Sequence, residues 1–166
     1  MKTIVLITAL IISQAGFTQP KVKLYGYSRE FIPGMVPQRD VPDENGGQSI
    51  KRPPVTVQYY VFTSSLAVIQ PKEIWLAGHW YDVAGSELQS TPVLSDDAEK
   101  KQLVPSTNLK VMRIDRGDTI NSNLKITPVL KKMIAANELV ISYLWNGKKY
   151  YTALKKLFVL APFHAE

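Results

Sequence analysis

The sequence predicts a mainly β domain: an antiparallel immunoglobulin-like sandwich carrying one short helix before its C-terminal hairpin, with a partly open β-barrel as the alternative topology. Three observations lead there. Val55, Val57, Tyr59 and Val61 alternate with Thr56, Gln58, Tyr60 and Phe62, the two-residue period of a strand with one apolar face. Two β-prone runs, Leu139 to Trp145 and Lys148 to Leu154, flank Asn146-Gly147, whose tolerance of positive φ favours a type I′ hairpin turn. Elsewhere, short runs with turn signals recur at intervals of about ten residues, the spacing of antiparallel all-β folds.

The remaining elements follow in chain order. Val22 to Tyr27 reads as a strand, and so do Leu88 to Leu94, Leu109 to Ile114 and Leu157 to Leu160, each bounded by Pro, Gly, Asn or Ser. Glu73 to Leu76 and His79 to Val83 form a second predicted hairpin around Ala77-Gly78. A helix is predicted where Thr127 can cap and Pro128 takes the first helical position, continuing to Asn137. Segment 38–54 holds three prolines, Asn45-Gly46-Gly47 and several charges, with only Val41 and Ile50 available for a core, and reads as a mobile loop.

At the start of the chain, Lys2 precedes a nine-residue apolar run from Ile4 to Ile12, and Ser13-Gln14-Ala15 places small residues where a signal peptidase reads. Residues 1–15 are therefore expected to be a cleaved secretory leader, and residues 16–166 a single domain. The run is far shorter than the roughly 20 residues a bilayer demands, and no later segment approaches that length. The mature chain is thus expected outside the cytoplasm, periplasmic or extracellular, with no transmembrane segment after leader removal.

The 166 residues contain no cysteine, which excludes disulfides, thiolate metal sites, cysteine nucleophiles and cysteine-linked lipids. Loss of Lys2 takes the net charge from +6 to +5, with the basic residues dispersed, so nucleic acid is not an indicated partner. Lysines recur in pairs, Lys100-Lys101, Lys131-Lys132, Lys148-Lys149 and Lys155-Lys156, which suits solvated strand edges as well as an anionic partner.

Catalytic signatures are missing: Gly47-Gln48-Ser49 and Gly85-Ser86 lack the second glycine of a nucleophile elbow, and there is no phosphate loop, dinucleotide fingerprint or His-Glu-x-x-His. Glu73, Asp82 and Glu87 are the carboxylates that glycoside hydrolysis would draw on. No metal site and no cofactor are expected, because His79 and Asp82 fall on opposite faces of a strand, His164 lies near the end, and Asp96-Asp97 with Glu99 lacks calcium-loop spacing. Arg116-Gly117-Asp118 is expected to be a turn.

Aromatic residues are the remaining resource. Trp75, Trp80 and Tyr81 crowd one hairpin and Lys148 and Lys149 open another, so these five residues are the predicted contact surface, with Ile74 and Leu76 facing the core. The reading is a secreted or periplasmic non-catalytic binding or envelope-accessory protein whose partner is an envelope or extracellular protein or glycan. A small extracytoplasmic hydrolase acting on glycan or peptide is the alternative.

Overall fold

The computed structural model describes residues 19–34, 54–95 and 100–164. The expected leader, the 38–54 loop up to residue 53 and the Asp96 to Glu99 cluster lie outside the described residues. The order of elements is β1 (Lys23–Ile32), β2 (Thr56–Ser65), β3 (Gln70–Leu76), β4 (His79–Glu87), β5 (Val93–Ser95), β6 (Lys100–Gln102), β7 (Lys110–Ile120), α1 (Pro128–Ala136), β8 (Leu139–Trp145), β9 (Lys148–Leu154), β10 (Phe158–Val159) and β11 (Phe163–His164).

Nine of these strands make one sheet, in the order β10-β1-β2-β7-β4-β3-β8-β9 with β11 also paired to β1, while β5 and β6 form a separate ribbon. The pairs are antiparallel except for β10 and β11, which run parallel to β1. The protein is mainly β with one short helix, and its sheet curls into a half-barrel. The expected division into two facing immunoglobulin-like sheets gives way to one continuous curled sheet. The periodicity of a strand reports which face is buried and leaves open which strands pair.

Curling turns one face inward. Val61, Ile74, Leu76, Tyr81, Ile114, Leu139 and Ile141 pack there as the principal core. Gly26 on β1 lets the two ends of the sheet meet, since a Cβ at this position would lie 2.6 Å from Leu157 Cδ2 and 2.7 Å from Leu139 Cδ2. The outer face is covered in two places. Phe62, Val111, Leu103, Val104 and Leu160 form one cluster over β2 and β7. Under α1, Trp80, Leu130 and Val140 form another, with Trp75, Met133 and Ile134 packed against it.

Both predicted hairpins are present with their two-residue turns: Ala77 (φ 51) and Gly78 (φ 82) join β3 to β4, and Asn146 (φ 48) and Gly147 (φ 74) join β8 to β9. The helix begins as expected, with Thr127 Oγ1 accepting from the Leu130 amide at 3.2 Å and Pro128 at the first position. Two expectations fail. Leu88 to Leu94 is not one strand, because β4 ends at Glu87 and only Val93–Ser95 pairs again, with Ser90 and Pro92 between them. Arg116-Gly117-Asp118 is not a turn but an irregularity inside β7, where the register passes from Val83↔Arg116 to Tyr81↔Ile120. Gly117 fits there because a Cβ would stand 3.1 Å from the Asp82 carbonyl oxygen.

Candidate functional site

The start of β2 leaves inward-facing apolar residues without cover. Val55, Val57, Tyr59 and Val61 all belong to the inward face, yet Val61 is 3% exposed whereas Val57 and Val55 reach 45% and 54%. Burial along the strand therefore rises from its start toward Phe62, and the inner wall of the half-barrel runs from a packed floor out to an open end.

Two cavities meet at that open end and share Val57 and Tyr59. The first, about 420 Å³, lies between β2 and β7 and is lined by Val57 to Val61 on one side and by Arg113 to Arg116 on the other, with Ile74 and Leu76 of the inner core behind them. The second, about 460 Å³, lies between the start of β2 and the β3–β4 turn and includes Ser28, Trp75, Ala77, Leu157 and Val159, with Glu138 and Lys156 at its charged margin. Among the described residues, β2 pairs with β7 only over Phe62 to Ser65, after which β2 continues along β1 and β7 continues along β4.

The cations of the first cavity are held in place. Arg113 Nε donates to Asp115 Oδ1 at 2.7 Å within β7. The Arg116 guanidinium carbon lies 4.8 Å over the Tyr81 ring, a cation–π contact that engages its face and none of its N–H donors. Alternation places Arg113 and Asp115 on the outer face of β7 and Arg116 on the inner one.

The five residues singled out from sequence do not form one surface. Trp75 and Trp80 are cross-strand partners with ring centroids 5.7 Å apart, on the outer face beneath α1. Trp80 is 3% exposed and Trp75 is half-buried, also bordering the second cavity. Tyr81 points the other way, into the inner core at 6% exposure. Lys148 and Lys149 are exposed at the β8–β9 turn, where Lys149 Nζ donates to Glu73 Oε1 at 2.8 Å. Ile74 and Leu76 are in the core, as alternation predicts.

The carboxylates considered for hydrolysis each have a structural partner. Glu73 also accepts from the Ser142 hydroxyl, Asp82 Oδ1 accepts from Asn121 Nδ2 at 2.8 Å, and Glu87 pairs with Lys110 at 3.3 Å. His79 contacts the edge of Tyr81, and exposed His164 pairs with Ile32 in the last strand. Among the described residues, no group of three or more His, Asp or Glu comes together to hold a metal, and no helix is long and apolar enough to cross a membrane.

Sequence reasoning did not single out Val57, Tyr59, Arg113 and Arg116 as site residues. Their signals were present as an apolar strand face and two arginines three positions apart, but nothing local marks where β2 leaves β7. No family model, curated protein or solved structure matches this chain.

Proposed function

We propose that this is an exported, non-catalytic binding or envelope-accessory protein whose partner, an envelope or extracellular protein or glycan, engages the open end of the half-barrel. The observation that carries this reading is the meeting of two cavities at Val57 and Tyr59, a concave, partly apolar mouth of the kind in which β-barrels hold ligands. The engagement of Glu73, Asp82 and Glu87 in structural contacts favours binding over hydrolysis. The leader-like start of the chain supports export.

The test compares partners captured from the exported or envelope fraction by the wild-type chain, Val57→Asp and Tyr59→Ala, with thermal melts as a check on folding. Loss of the captured partners by folded variants is expected. Identical capture by all three chains rejects the mouth as the binding site.

A further inference from the structure

We propose that the gap between β2 and β7 is a strand-shaped slot that takes an extended acidic peptide segment by β-strand addition. This rests on the binding reading above and names the ligand class for one side of the mouth.

A groove on one face of a sheet touches every second residue of a strand, because successive side chains point to opposite faces. The β2–β7 cavity instead meets five consecutive residues of β2, Val57 to Val61, and four consecutive residues of β7, Arg113 to Arg116. Lining of that kind places the cavity between two strand edges, with Ile74 and Leu76 of the inner core closing it from within. Pairing agrees, since Phe62↔Arg113 is the outermost β2–β7 partner pair and the two strands separate beyond it. Among the described residues, the facing edges of β2 before Phe62 and of β7 after Arg113 have no strand partner, and these are the edges on which an incoming backbone would pair. Five residues of β2 edge correspond to roughly 17 Å of extended chain.

The side chains define the occupant. Arg113 stands on the outer side of the slot and Arg116 on the inner side, against the single carboxylate of Asp115, so the slot is net cationic. An extended segment sends neighbouring residues to opposite faces, and two adjacent acidic residues opposite Ile114 and Asp115 would each lie diagonal to one arginine, Arg116 on the inner face and Arg113, shared with Asp115, on the outer. Beyond them, the inner positions face Val57, Tyr59 and Val61, which suits an apolar residue, and the outer positions face Gln58 and Tyr60.

The experiment is fluorescence anisotropy of the full chain with a labelled Val-Thr-Glu-Glu-Val-Thr peptide. Its comparators are a Lys-Lys counterpart and two series N-methylated at odd or at even positions. Insertion between two strand edges predicts that the acidic peptide binds, that the lysine peptide does not, and that each methylated series loses binding, because alternate N–H groups point to the β2 edge and to the β7 edge in turn. Arg113→Gln and Arg116→Gln should each weaken binding by about ten-fold while the chain still melts cooperatively, the loss of one charge-assisted contact. Absence of binding at millimolar peptide overturns the proposal, and so does equal binding of the lysine peptide or undiminished binding by either methylated series. If partner capture still depends on Val57 and Tyr59 while the peptide fails, the slot is rejected and the mouth stands. If capture is also indifferent to those residues, both are rejected.

Discussion

Glu73 and Lys149 are joined across the outer face of β3, β8 and β9 by an ion pair of 2.8 Å that also recruits Ser142. Ser142 lies between them in the sheet, fully buried, accepting from the Glu73 amide on its Oγ at 3.1 Å and donating a hydrogen bond to the Glu73 carboxylate. Lysine at this position is therefore tied to a carboxylate whose side chain is only 14% exposed, and is not a free charge awaiting a partner.

The asymmetry of this trio is measurable. Glu73→Ala removes the acceptor of a buried hydroxyl and should cost about 1–3 kcal/mol. Lys149→Ala removes a partly solvated ion and should cost under about 1 kcal/mol. Urea unfolding of both variants checks the order, and a larger loss for Lys149→Ala would contradict it.

Trp75 and Trp80 should separate in the same assay. Trp80 is closed in by Leu130 and Val140, so Trp80→Ala should cost about 3–5 kcal/mol. Half-buried Trp75 loses less area, and Trp75→Ala should cost about 1–2 kcal/mol. Equal losses would show that α1 covers both rings alike.

The β3–β4 turn holds an alanine in a left-handed conformation, φ 51, that costs an L-residue roughly 1–2 kcal/mol. Ala77→Gly relieves this at some cost in unfolded-chain entropy, for a net gain of about 0.5–1 kcal/mol and a rise in melting temperature of about 1–4 °C. Gly78→Ala should do the reverse, since φ is +82 there although nothing stands within 4 Å. A fall in melting temperature for Ala77→Gly would show that the turn is not strained.

Tyr143 gives a pH test. It is fully buried, its hydroxyl accepts from Gln19 Nε2 at 3.0 Å, and its ring stacks on Tyr150. Burial raises its pKa above the ordinary 10.0, with Tyr150 adding to the rise and Gln19 opposing it. Tyr27 is raised as well, by burial and then by Tyr25. The unfolded chain then gives up these protons before the folded one, so their contribution is intact below about pH 10 and is lost as pH climbs toward the raised folded values. Denaturant midpoints measured from pH 8 to 11 should fall in that upper window, and Tyr143→Phe should flatten the fall.

Much of the local structure was legible because it rests on local chemistry. Asn146-Gly147, Ala77-Gly78 and Thr127-Pro128 act through φ preferences and caps that involve a few neighbouring residues. What escaped depends on distant partners. Nothing around Gly117 tells that Asp82 will approach its backbone, and although alternation separates Tyr81 from Trp80, which of the two rings faces the inner core depends on the flanking strands. The slot was invisible for the same reason, being a property of where β2 and β7 stop pairing rather than of any residue within them.

The parallel strands β10 and β11 set a timetable for the molecule. They close the outer edge of β1 through Leu160 N to Ser28 O at 2.8 Å and Arg29 Nε to Ala161 O at 3.0 Å, partners that in the second contact stand 132 positions apart. β1 is the first of the described strands and its neighbours on this side are the last two, so that edge waits for a segment more than a hundred residues away. Pairings of such long sequence separation carry high loop-closure entropy and form slowly. The sheet is therefore completed only when these two short strands dock, which makes closing of the β1 edge a late step in folding wherever the chain folds.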